Sequence, residues 1–133
     1  MIFVDSSFFI ALVDQKDQWH LDSKSLLPIL TDEIILLTDL IMAESISIIG
    51  RRSGGKAGTQ LYQYFIDNCK LVFADDKILK GGMEEFLKYD GSLSVSDAVS
   101  VFIMKKYKVA RIISFDSDFD KVPGIVRVYQ YER

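Results

Sequence analysis

Apolar residues recur along this chain in two rhythms, and their alternation predicts the fold. Ile2–Val4, Ile34–Leu37, Leu71–Phe73, Val109–Ile113 and Ile125–Tyr129 are short apolar or β-branched runs of the kind that form strands in a covered sheet. Between them the spacing turns helical. Phe8, Phe9, Leu12 and Val13 follow the first run, with Asp5 to Ser7 as capping candidates. Residues from Gln18 to Leu30 form a second helix, with Pro28 weakening its last turn, and Thr38-Asp39 caps a third from Leu40 to about Ile49. Glycines at Gly54 and Gly55 break that helix, and Leu61, Tyr62, Phe65 and Ile66 open the next. Ile78 to Leu87 reads as a helix that carries Gly81-Gly82 at up to ~1 kcal/mol per glycine. Ser94 to Tyr107 reads as another, with Val95, Val99, Phe102 and Ile103 on one buried face and Lys106 at its solvated edge. Strands alternating with helices predict an α/β fold with a mainly parallel sheet.

At 133 residues the chain is expected to form one domain over residues 1–133. Hydrophobic residues at 49% and charged residues at 26% are ordinary globular usage, which excludes disorder and fibrous repeats. A net charge of −3 argues against a uniformly basic nucleic-acid coat, although a local basic patch stays open. The single Cys69 excludes a disulfide framework and a multi-cysteine zinc site. The opening MIFVDSSFFIALVD has no basic n-region and contains Asp5, unlike a signal peptide. Apolar runs such as Leu40 to Ala43 fall far short of the ~20 residues of a membrane span. A cytoplasmic protein with no membrane association is the expectation.

The placement of the acids carries the chemistry. In an open parallel sheet, ligands bind beyond the carboxyl ends of the strands. Asp5 follows the first strand directly, Asp116 lies three residues after Ile113, and Asp97 falls in the first turn of its helix. Glu44 sits in Leu40-Ile41-Met42-Ala43-Glu44-Ser45-Ile46, a stretch so apolar that partial burial is expected. Each acid has a plainer explanation. Asp5 fits an N-cap, Ser94-x-x-Asp97 fits a capping box, Asp116-Ser-Asp118-Phe-Asp120 fits turn chemistry, and Glu44 fits a buried ion pair. Together, carboxylates converging on one edge repel one another, and a divalent cation is the natural compensation. Oxygen ligands favour Mg²⁺ or Mn²⁺ over zinc, and such ions activate water against phosphodiesters.

Four segments in order resemble the signatures of PIN-domain ribonucleases, a family that includes the VapC toxins of VapBC toxin–antitoxin pairs. They are Ile2-Phe3-Val4-Asp5-Ser6-Ser7, Leu40-Ile41-Met42-Ala43-Glu44, Leu93-Ser94-Val95-Ser96-Asp97-Ala98 and Ile113-Ser114-Phe115-Asp116-Ser117-Asp118-Phe119. The resemblance spans nearly the whole chain. It implies a three-layer α/β/α sandwich, metal-dependent endoribonuclease activity, a VapB-like antitoxin as partner and a homodimer. Asp5, Glu44 and Asp97 match three acidic positions of the family; Asp116 matches the fourth, with Asp118 as the alternative, and Ser6 and Ser114 match small hydroxyl positions beside the site.

Arg51, Arg52 and Lys56 form a basic corner that is a candidate grip for an RNA backbone, or else complements a helix dipole. Lys105, Lys106, Lys108 and Arg111 read as solvated surface, and His20, beside Trp19, as a packing or capping residue. Tyr62, Tyr64, Phe65, Ile46, Ile48 and Ile49 offer core packing or, alternatively, a groove for a partner helix or dimer contact. The glycines follow no strand and form no phosphate-binding loop. A dehalogenase-like phosphatase needs an aspartate where Ser7 stands, and a receiver domain needs an Asp and a Lys that are not evident. A non-catalytic module of the same fold and a housekeeping RNA-processing nuclease are the remaining alternatives.

Overall fold

In a computed structural model that describes residues 1–131, the chain forms five strands, six helices and one 3₁₀ turn. In chain order these are β1 (Ile2–Val4), α1 (Ser6–Val13), α2 (His20–Leu30), β2 (Ile35–Thr38), α3 (Asp39–Ser53), α4 (Gly55–Asn68), β3 (Cys69–Val72), α5 (Asp76–Lys88), α6 (Val95–Tyr107), β4 (Arg111–Ile113), the 3₁₀ turn (Ser117–Lys121) and β5 (Val126–Val128).

The sheet is entirely parallel, in the order β3-β2-β1-β4-β5, with Phe3 paired to Leu36 on one side and Ile112 on the other. Connections run outward from β1 to β2 to β3, then cross back to β4. Right-handed crossovers in opposite directions place their helices on opposite faces of a sheet. Accordingly α1, α2, α3 and α4 pack with one another and α5 packs with α6. This is the three-layer sandwich, and its strand order reverses between β1 and β4. Strands covered on both faces need apolar side chains throughout, which is why β1 and β2 are buried at every position.

One apolar core joins both layers to the sheet, with Phe8, Phe9, Phe65 and Phe119 fully buried and Phe9 edge-on to Phe65 at 4.8 Å. Tertiary packing adjusts several expected elements. α4 starts at Gly55, not Leu61, because the break after α3 is a single residue, Gly54, at φ 94°. β3 starts at Cys69, earlier than Leu71, while β4 and β5 shorten to three residues each. α2 runs past Pro28 to Leu30. α6 is buried around most of its circumference, and Val95, expected inside, is exposed as the first residue of the helix. Thr38 caps α3 through Ile41 N–H at 3.2 Å, whereas the Asp39 carboxylate accepts from Ala74 N–H at 2.9 Å.

Gly81 and Gly82 have a packing role that outweighs their helix-propensity cost. A Cβ at Gly81 would stand 2.2 Å from the Phe102 ring, and one at Gly82 would stand 2.4 Å from Val99 Cγ2 and 3.1 Å from the Val99 backbone. Their missing side chains let α5 approach α6. Among the described residues, no helix is long and apolar enough to cross a membrane.

Candidate active site

The strand-order reversal leaves a crevice at the carboxyl ends of β1 and β4, where crossovers diverge to opposite faces. Asp5 stands there with its N–H bonded to Ile113 O at 3.0 Å, so the first residue beyond β1 is fixed against the last of β4. It occupies the N-cap position of α1, yet its carboxylate caps nothing. Instead Asp5 Oδ2 accepts from Ser114 Oγ at 2.7 Å and Ser7 Oγ at 3.0 Å. Each hydroxyl in turn accepts a backbone N–H from the loop after β4: Ser7 from Phe115 at 3.0 Å and Ser114 from Asp116 at 3.0 Å. Two serines thereby tie the Asp5 carboxylate to the loop that carries Asp116. Arg127 holds the same loop from outside. It makes a bidentate pair with Asp120, donates to Ser114 O at 3.3 Å and stacks 4.1 Å from the Tyr129 ring centroid.

Burial pushes the Asp5 carboxyl up from its ordinary range; the hydroxyls of Ser114 and Ser7 and the Ser6 N–H pull it back, and the negative charge of Glu44 raises it again. Its second oxygen, Oδ1, is buried without a hydrogen-bond partner. Such an orphaned acceptor costs on the order of 1–3 kcal/mol unless something else satisfies it. Asp97 is also buried, in the first turn of α6, where Ser94 Oγ accepts its backbone N–H at 3.1 Å. Burial, then the charges of Asp5, Asp116 and Glu44, push its carboxyl up to about 7. The four acids therefore share one electrostatic neighbourhood.

Asp116 and Asp118 differ. Asp116 belongs to the field that raises Asp97, and its Oδ1 caps the 3₁₀ turn through Asp118 N–H at 2.9 Å. Asp118 is half-exposed and ion-paired to Lys121 at 2.9 Å. Among the described residues, no three Asp, Glu, His or Cys side chains close into a ready-made metal cage. An open set suits Mg²⁺ and Mn²⁺ chemistry, since Mg²⁺ keeps several waters and takes only one or two carboxylates alongside substrate phosphate oxygens. The orphaned Asp5 Oδ1 and the mutual repulsion recorded at Asp97 both fit a divalent cation.

Three sequence expectations change here. Glu44 is exposed rather than partly buried. Ile41, Ser45 and Ile49 of α3 are buried, at i, i+4 and i+8, with Leu40, Met42, Ile46 and Ile48 partly buried against the core, and Glu44 stands one position off the buried stripe at the rim of the crevice. Ser6 acts on Asp5 through its backbone N–H, and the hydroxyl beside the carboxylate is that of Ser7, which local sequence marks only as a capping candidate. Its position two residues after Asp5 was the available signal. Arg52 is committed to Asp14 at 3.1 Å and Asp17 at 3.2 Å, while Arg51 and Lys56 are exposed. Elsewhere, Lys105 pairs with Glu85, and Arg111 pairs with Glu33. His20 packs through Nδ1 on Ala11 O at 2.7 Å, and Phe65 is core while Tyr62 is exposed.

The serine bridge makes a prediction. Ser7→Ala should leave the Phe115 N–H and one side of Asp5 unpartnered, and should lower metal-dependent turnover about 10–100-fold, the usual effect of removing a group that orients a metal ligand. Metal titrations of kcat on wild type and variant measure it.

The family model of the PIN domain matches residues 2–125 of this chain. Ribonuclease VapC13 of Mycobacterium tuberculosis and a VapC ribonuclease of Mycobacterium bovis are each 29% identical over 133 residues, covering 96% of this chain and 99% of the relative. Among solved structures, Mycobacterium tuberculosis VapC20, a sarcin-ricin loop cleaving toxin, matches with a TM-score of 0.87 and 24% identity, over 96% of this chain and 98% of its own. A toxin–antitoxin complex from Klebsiella pneumoniae matches at 0.74 and 14%, over 98% and 100%. At these identities the two structures speak for the fold.

Proposed function

The chain belongs to the PIN-domain family, and on that premise we propose that it is a divalent-metal-dependent endoribonuclease that hydrolyses RNA phosphodiester bonds as the toxin of a VapBC-type pair. The observation that carries this is the crevice itself: Asp5 with an orphaned buried oxygen, and Asp97 raised to about 7 by Asp5, Asp116 and Glu44. Both features support acids arranged for a cation rather than for capping. Asp5, Glu44, Asp97 and Asp116 would hold Mg²⁺ or Mn²⁺, with Asp118 at the periphery. When bound, the cation supplies the positive charge that neutralises these acids, polarises a phosphoryl oxygen and lowers the pKa of the attacking water.

The protein's own residues orient and hold. Ser7 and Ser114 fix Oδ2 of Asp5, while Oδ1 is buried without a hydrogen-bond partner. Asp97, buried in the first turn of α6 and raised to about 7, lies in the range in which a carboxyl exchanges protons most effectively with a reacting group. Arg51 and Lys56 stand free of Arg52's ion pairs as candidate contacts for the RNA backbone.

A cytoplasmic protein with a VapB-like antitoxin follows from this reading. An apolar cleft of about 240 Å³ between α1 and α4, lined by residues including Phe9, Leu12, Leu61 and Tyr64, supports an apolar antitoxin segment as partner. The exposed stripe Leu79, Met83 and Leu87 on α5 supports a homodimer. The test is cleavage of an end-labelled structured RNA. Internal cuts with Mg²⁺ or Mn²⁺, lost with EDTA and regained with excess metal, are expected; cutting that persists in EDTA would overturn the metal-dependent assignment.

A further inference from the structure

Trp19, the chain's single tryptophan, is 40% exposed and lies flat against Phe115, with ring centroids 5.4 Å apart and planes 8° from parallel. The aromatic pairs of the core meet differently: Phe8–Phe9 and Phe9–Phe65 are edge-on, at 82° and 90°. With one face stacked on Phe115 and two-fifths of its surface exposed, the indole keeps apolar surface available to a ligand. Phe115 is also no remote support. Its N–H is bonded to Ser7 Oγ, which is bonded to Asp5 Oδ2, so the stacked pair is two hydrogen bonds from the acid cluster.

The loop presenting Trp19 is held in place. Arg52 bridges Asp14 and Asp17, Asp17 Oδ1 accepts the backbone N–H of Trp19 at 2.9 Å, and the next residue, His20, is anchored on Ala11 O. These contacts preorganise the indole, which lowers the entropy lost when a ligand stacks on it. They also give Arg52 a structural role in place of a phosphate contact. The neighbouring Lys16 is exposed and adds positive charge to the same loop.

We propose that Trp19 is a base-stacking platform that takes an unpaired nucleobase flanking the scissile phosphate, extending the Phe115 stack toward the RNA. This rests on the ribonuclease reading for its substrate and adds the residue that engages the base. Stacking on an aromatic face is tolerant of sequence and favours single-stranded RNA, because paired bases present no free face.

A lone tryptophan makes the test direct. Single-stranded oligoadenylate and oligouridylate hexamers are titrated into the protein with Mg²⁺ while indole emission is followed, alongside steady-state cleavage of a single-stranded RNA by wild type, Trp19→Phe and Trp19→Ala. The expected result is quenching on binding, stronger with the purine. A rise in KM of about 10–100-fold is expected for Trp19→Ala, the range of one lost base stack, with kcat little changed and most of the loss restored in Trp19→Phe. Cleavage with no quenching and an unchanged KM in Trp19→Ala would overturn the platform while leaving the ribonuclease intact. Quenching without any cleavage would uphold the platform and reject the nuclease. Neither quenching nor cleavage would reject both.

Discussion

Asp97→Asn and Asp5→Asn are each expected to lower RNA cleavage by at least about 10²–10⁴-fold while leaving the protein folded. The loss follows from geometry. Asp97 is buried and raised to about 7 by three other acids, so it sits where their negative potentials overlap. Asp5 is fixed by two hydroxyls and leaves one oxygen unpartnered. An asparagine at either position fills nearly the same volume and still offers a carbonyl oxygen to Ser7 and Ser114, or to the surroundings of α6. It removes the negative charge that a cation requires. Folding is retained because metal-free burial of these carboxylates opposes stability, and their neutral replacements relieve it. Glu44→Gln should cost less, since Glu44 is exposed, and its charge ranks behind burial and hydrogen bonding at Asp5 and behind the charges of Asp5 and Asp116 at Asp97. Single-turnover cleavage with thermal melts of each variant separates lost chemistry from lost fold.

Metal-free protein should be more stable near pH 5 than near pH 8. Asp97 and Asp5 are both raised in the folded state, so between about pH 4 and 7 the folded chain binds more protons than the unfolded one. Stability must then fall as pH climbs through that window, by on the order of a few kcal/mol if Asp97 titrates near 7. The lowered carboxyls of Asp14, Glu33 and Asp120 have the opposite sign, but they titrate below pH 5 and leave the interval untouched. The raised groups Cys69, Tyr64, Lys105 and Arg127 act above it. Melting in EDTA should therefore drop by several degrees from pH 5 to pH 8. Saturating Mn²⁺ should erase most of the drop, because a cation binds the ionised acids. Asp97→Asn should make the EDTA profile shallower, with the raised Asp5 carboxyl supplying the slope that remains. A melting temperature that rises across the interval in EDTA would contradict the burial of uncompensated charge in the crevice.

Much of this crevice was legible in the sequence because it sits on local signals. A buried apolar strand ending in Asp5, and another ending in Ser114 and Asp116, mark the carboxyl edge of a parallel sheet without knowledge of its order. Asp97 was legible as a helix first-turn acid, and four ordered signatures joined these into a family resemblance. What stayed hidden was set by contacts distant in sequence. Whether Glu44 faces inward depends on which stripe of α3 meets the core, and the stripe Ile41, Ser45, Ile49 is chosen by the neighbouring elements. The bond from Ser7 to the loop after β4 spans 108 residues, and that from Arg52 to Asp14 spans 38. No periodicity encodes either. Gly81 and Gly82 read locally as helix weakeners, and only the Phe102 and Val99 side chains of α6 show why nothing larger fits.

The central claim is that Asp5, Glu44, Asp97 and Asp116 form one divalent-cation site, and calorimetric titration of Mn²⁺ into apo wild type, Asp97→Asn and the Asp5→Asn/Asp97→Asn double variant tests it most directly. Saturable binding to wild type at low stoichiometry, weakened at least about tenfold in Asp97→Asn and abolished in the double variant, is the predicted result. Equal Mn²⁺ affinity in all three folded proteins would place the metal elsewhere and leave the four acids without a shared cation.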